Sequence, residues 1–209
     1  MERPNGLRWL ASVAGCAVAL LAAGCSGSGD GPKSSASASS TDASALADNF
    51  SRLKSFKAVI AQGDGAGGLQ GTIEYEAPNK VHVTAGSGSV SQEVLCIGDN
   101  FYARPQGSTW QTVPSVTASC RANLGPADPE AIVASLRAVA AAGPLKKGAE
   151  DSVGGKKCTI YTQTLPSGVE FGACVADGLP LRILNKAPQG SVTITFSNFD
   201  KPLDLKAPI

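Results

Sequence analysis

From residue 69 onward the apolar residues recur at every second position. Leu69, Gly71, Ile73 and Tyr75 alternate with Gln70, Thr72, Glu74 and Glu76. Val81 and Val83 bracket His82, and Val192, Ile194 and Phe196 alternate with Thr193, Thr195 and Ser197. Successive side chains of a strand point to opposite faces, so this pattern specifies half-buried strands with one apolar face, as in antiparallel sheet. Turn signals punctuate it at Pro78-Asn79, 86–88, 98–100, Gly154-Gly155, Asp177-Gly178 and 188–190.

Two stretches follow helical spacing instead, one before this run and one within it. Leu46, Phe50, Leu53 and Phe56 lie at helical spacing, which predicts an amphipathic helix over 42–57 with a polar cap at Thr41 or Asp42. Asp128 as N-cap, Pro129 at the first helical position and a Gly143-Pro144 stop predict a second helix over 129–142, with Ile132, Leu136 and Val139 as its stripe. The order is helix, about six strands, helix, then four or five strands. That is an α+β architecture, a curved antiparallel sheet of about 10–11 strands with helices packed on one side.

The chain opens with a different kind of segment. Arg3 and Arg8 precede an apolar run over 9–24, the two leading parts of an export signal. The run is shorter than the roughly 20 residues that a spanning helix needs. It ends in Leu21-Ala22-Ala23-Gly24-Cys25, which resembles the bacterial lipobox. The resemblance implies that Cys25 takes a diacylglycerol and becomes the N-terminus, with 1–24 removed as a lipoprotein signal peptide. Val13-Ala14-Gly15-Cys16 matches locally, but cleavage there leaves an apolar region of about six residues, below the usual minimum of about seven. Residues 25–41 are rich in Ser, Gly and Ala, with no aromatic and no periodic apolar residue. They read as a flexible tether, and 42–209 as one folded domain. Signal and tether resemble those of high-GC actinobacteria, which implies anchoring on the extracytoplasmic face of the cell membrane.

Of six cysteines, Cys16 leaves with the signal and Cys25 is acylated, so Cys96, Cys120, Cys158 and Cys174 remain for disulfides in an oxidising compartment. Pro166-Ser167-Gly168 is a turn signal between two strand-like runs. A hairpin closing around Pro166 sets Cys158 directly opposite Cys174, within bridging range. Cys96 and Cys120 are left for each other across the turn at 105–108. No CxxC spacing exists and His82 is the lone histidine, so neither a metal site nor a redox dithiol is expected.

Without Arg3, Arg8 and Glu2 the mature chain has 16 Lys plus Arg against 16 Asp plus Glu, and no dense basic run. Neither nucleic acid binding nor electrostatic membrane docking is expected. No Gly-x-Ser-x-Gly is present to go with His82, which reads as an exposed sheet residue. Gly65, Gly67 and Gly68 form a turn between strands, not a phosphate loop, because no helix follows. Glu74 and Glu76 read as solvated positions, and Tyr102 and Trp110 as cross-strand packing or the mouth of a pocket. No catalytic residue and no cofactor is expected, so the chain does not read as an enzyme.

The order of elements resembles the LolA-like lipoprotein carriers of the LppX and LprG type. The likeness lies in the early helix leading into 56–60, the strand–turn–strand at 98–104 and 109–114, and the Pro-apolar-x-apolar-x-Ala-Pro ending over 199–208. Two disulfides are a departure from the simplest members. The resemblance implies an incomplete barrel roofed by helices, with a lipid, glycolipid or other hydrophobic ligand on its concave side. Candidate ligand residues are then Ile73, Tyr75, Phe171, Val192, Ile194 and Phe196. The rival expectation is a protein-interaction or sensory lipoprotein with the same fold and a collapsed, ligand-free core. The two share one sequence signature and differ in whether side chains cover the concave face.

Overall fold

The computed structural model describes residues 42–63, 68–87, 90–114, 120–121 and 124–208. The signal peptide over 1–24, Cys25 and the tether over 25–41 lie outside the described residues.

Helix α1 (Ala43–Ser51) leads into strands β1 (Ser55–Gln62), β2 (Leu69–Glu76), β3 (Lys80–Ser87), β4 (Val90–Ile97), β5 (Asn100–Pro105) and β6 (Gln111–Val113). A short 3-10 turn (Gly125–Ala127) and helix α2 (Pro129–Ala141) follow. Then come β7 (Lys146–Val153), β8 (Lys156–Thr164), β9 (Glu170–Ala176), β10 (Leu179–Ala187) and β11 (Gly190–Ser197). All eleven strands form one sheet in the order β6-β5-β4-β3-β2-β1-β11-β10-β9-β8-β7. Two antiparallel meanders are thus joined where β1 pairs with β11, and the sheet stays open between β6 and β7. It is a curved sheet with both helices on one side, not a closed barrel.

Both caps have chemical causes. The Asp42 carboxylate accepts from Ser44 N and the Asp128 carboxylate from Glu130 N, each satisfying a first-turn donor. Helix α1 is shorter than its apolar spacing predicts. It stops at Ser51, and Phe56 belongs to β1, facing Tyr75 of β2. Backbone pairing on both sides, to β2 and β11, outweighs one more helical turn. Leu53 and Phe56 still reach the same core.

That core lies between the helices and the inner face of the sheet. Leu46 and Phe50 of α1 and Ile132 and Leu136 of α2 cover Phe56, Ala58, Ile73, Val83, Val94 and Phe196, all buried. Phe50 and Phe196 meet edge to face with ring centroids 5.1 Å apart.

Two disulfides fasten this arrangement, Cys96–Cys120 and Cys158–Cys174. The first ties the β6–α2 connection to the inner face at β4. The second lies on the outer face with Leu181, and its register differs from direct opposition. Ile160 faces Cys174, so the bridge runs diagonally to Cys158 on the same face. The cause is the turn. Leu165 N donates to Val169 O, and Gly168 takes a φ of 81°, which glycine tolerates. The hairpin therefore folds around Ser167, not Pro166.

Candidate functional site

The meander gives the sheet two ends. Turns β1–β2, β3–β4, β5–β6, β8–β9 and β10–β11 lie at one, called upper here, and the remaining hairpin turns lie at the lower. At the lower end the inner face is sealed by α1 and by the chain after β11. Lys54 N donates to the Asp200 carboxylate at 2.7 Å and Leu205 N to the Glu76 carboxylate at 3.3 Å.

The upper inner face is covered unevenly. Across β8 to β10, Tyr161, Phe171, Ala173 and Ile183 are buried. In the same rows across β11, β1, β2 and β3, Val192, Ile194, Ile60, Gly71 and Ala85 are only half-buried. Ile60 and Ile194 pack on the core below, so this shelf is the upper continuation of the apolar interior. Its small residues have a structural cause. A Cβ on Gly71 would stand 2.6 Å from the Thr84 carbonyl oxygen, so β2 and β3 approach there as only glycine permits.

The outer face carries a polar network instead. Nδ1 of His82 lies 3.0 Å from Glu74 and Nε2 lies 3.3 Å from Glu93. Lys57 donates to Glu74 at 2.8 Å and Arg104 to Glu93 at 2.6 Å, and the Arg104 guanidinium lies 4.8 Å over the Trp110 ring. Burial raises the Glu74 carboxyl, but the combined pull of Lys57 and His82 takes it below its ordinary value. Each carboxylate is already matched by a cation, so the network is a crosslink over five strands with no spare base or nucleophile. Among the described residues no group of His, Cys, Asp and Glu is placed to hold a metal ion.

Two hollows stand out among the described residues, of about 360 and 590 Å³, and both are open. They adjoin one another on the upper outer face, where Leu184 and Lys186 line both, with Lys146 at the far side of the first.

No family model matches the chain, and no curated protein is similar to it in sequence. Solved structures are similar. LprF of Mycobacterium bovis superposes with a TM-score of 0.59 at 13% identity, over 79% of this chain and 94% of its own. The Mycobacterium tuberculosis lipoprotein LppX superposes at 0.53 with 14% identity, over 78% and 94%. The chain has the LprF and LppX fold. MucB in its complex with MucA from Pseudomonas aeruginosa reaches only 0.42, which carries no argument.

On this fold the six candidate ligand residues separate. Ile73 (0% exposed), Phe171 (4%) and Phe196 (3%) are enclosed in the core. Tyr75 is half-buried at the lower end against Phe56, with ring centroids 5.3 Å apart, and burial raises its hydroxyl pKa. Val192 and Ile194 alone of the six lie on the open shelf. Ile60 and Ala85 complete it and were not singled out by sequence. The alternation marks them as inward-facing, but nothing in it tells a covered inner position from an open one. His82 is more enclosed than a free sheet histidine, and Glu74 and Glu76 are ion-paired. Trp110 lies past Tyr102 on the same outer face, under Arg104 and not across from Tyr102, which faces Thr112.

Proposed function

We propose that this chain is a membrane-anchored extracytoplasmic lipoprotein whose body takes up a lipid or other long apolar molecule on its upper inner shelf. The observation that carries the reading is the half-buried row Ile194, Ile60, Gly71 and Ala85, which continues the enclosed core upward, whereas Tyr161, Ala173 and Ile183 in the same row are buried. An acyl chain laid there extends the existing apolar contacts, with each methylene removed from water worth about 0.8 kcal/mol. The lipobox-like Cys25 and the fold shared with a lipoprotein support placement at a membrane. Among the described residues no helix is long and apolar enough to cross one. No residue here is assigned a catalytic role.

The filled lower core and the open hollows on the outer face favour the second reading, a protein-interaction module. Organic extraction of the purified chain with mass spectrometry for co-purifying lipid, paired with Ile194→Trp, separates the two. On an open shelf the indole displaces lipid while the melting temperature holds. On a covered surface it overpacks the interior and costs about 1–3 kcal/mol of stability. Wild-type chain that carries no lipid and takes up none from vesicles leaves the interaction reading standing.

A further inference from the structure

The two ends of the sheet differ in chemistry. At the lower end the turns and their flanks carry Glu76, Lys80, Asp99, Lys156, Asp177, Asp200 and Lys201, tied by ion pairs such as Lys80–Glu76 and Lys156–Asp177. The described upper tips carry no charge. Residues 105–114, 158–169 and 187–199 contain no Asp, Glu, Lys or Arg. Pro105, Pro166 and Pro188 are exposed at these tips, and Val90 at the start of β4 is 62% exposed. Asp64, in the β1–β2 turn, lies outside the described residues. Lys146 and Lys186, both exposed, stand one step behind the tips in the outer hollows beside Glu170, which lies 3.8 Å from Lys186, and Arg104, paired with Glu93, lies over Trp110 beside the β5–β6 tip.

Solvent-exposed hairpin tips are ordinarily polar and charged, as the lower ones are. An uncharged rim backed by Lys146, Lys186, Arg104 and one indole, with Glu170 among them, follows the order in which a bilayer presents its own layers, apolar region first and phosphates outside it. We infer that the described upper tips, at 105–108, 165–168 and 187–190, are the face on which the body rests against a lipid bilayer, so that the shelf opens directly onto the membrane. The inference rests on the ligand reading above and names the source of that ligand. With an anchor at Cys25, a Gly/Ser-type linker of the length of 25–41, 17 residues, would reach about 23 Å root mean square, enough for the body to turn its upper end to that membrane.

The test uses the full chain with Trp9→Phe and Trp110→Phe, and a single tryptophan placed either at the rim (Val90→Trp) or at the lower end (Asp99→Trp). Each protein is reconstituted into phosphatidylcholine–phosphatidylglycerol vesicles whose acyl chains are brominated. The rim reporter is expected to lose roughly half its emission and shift to the blue, as a residue at interfacial depth does, while the lower reporter keeps its emission. Adding Ser108→Asp, Ser167→Asp and Gln189→Asp, all at exposed tips, is expected to restore the rim emission. Equal quenching at both ends, or none at the rim, overturns the inference. So does a dimer that the three aspartates dissolve, which would give the rim to a second copy. Co-purifying lipid with an unquenched rim overturns the docking face and leaves the ligand reading intact. A quenched rim on a chain that binds no lipid does the reverse.

Discussion

Cys158 is joined to Cys174 along a diagonal of the β8–β9 hairpin, two positions from the residue that faces it. The bridge spans 16 residues of sequence and the Cys96–Cys120 bridge spans 24. In the chain-entropy description each contributes about 3 kcal/mol by restricting the unfolded chain. Replacing either pair by alanine is expected to lower denaturant stability by roughly that amount, and non-reducing peptide mapping to return these two pairings. Loss of Cys96–Cys120 has a further local effect, because it alone ties the β6–α2 connection covalently to the sheet. Proteolysis in that connection is expected to quicken in its absence.

Gly71 allows a test of backbone approach. Its added Cβ meets a carbonyl oxygen at 2.6 Å, whereas at Gly172 the nearest atom is the Leu184 side chain at an ordinary 3.8 Å. Gly71→Ala is expected to cost about 1–3 kcal/mol, in the range of an overpacked interior. Gly172→Ala should fall within about 0.5 kcal/mol of the parent, as surface changes usually do. Equilibrium urea unfolding of both variants checks the contrast.

Glu74 makes stability depend on acid. Its carboxyl sits below the ordinary value in the folded chain, because Lys57 and His82 together outweigh the effect of burial. A lowered folded pKa gives stability that is complete above the unfolded value, about 4.3 for glutamate. That stability is lost as pH falls through the folded value. Glu74→Gln is expected to reduce the melting temperature at neutral pH and to flatten its decline below about pH 4.3. A parallel, undiminished acid limb in the variant would assign that decline to other carboxylates.

Cys25→Ala is expected to leave the chain without acyl chains and to shift it out of the membrane fraction. Two chains on one residue anchor stably where one is marginal. Fractionation with intact-mass measurement of the N-terminal peptide decides it. Unchanged membrane association, with no acyl mass on the wild-type peptide, would refute the anchor.

The architecture was legible in the sequence because period-two alternation and two capped helical stretches are local signals. Asp128, Pro129 and Gly143 bound α2 to within a residue of its observed end. Phe56 misled because helical spacing and an inward-facing strand position both place a side chain on the core. Only its pairing with Tyr75, remote from the helix, chooses between them. The diagonal disulfide was hidden for a related reason. A one-residue change in the centre of a turn moves the register by two, and both registers keep the cysteines on one face. The inner face divides into a covered part at Phe171 and Ala173 and an open part at Ile194 and Ala85. No alternation along a strand encodes that.

The pairing of β1 with β11 also governs how the sheet assembles in time. The first strand made is completed by the last, across most of the folded chain, so closure pays a long-loop entropy before it gains any contact. During synthesis from the N-terminus, β1 through β6 form a meander whose β1 edge stays unpaired until β11 arrives. That edge is a transient template for the wrong strand, and a chain ending before residue 190 keeps it permanently. Refolding is therefore expected to be limited by the central seam, with two half-sheets formed first and joined slowly.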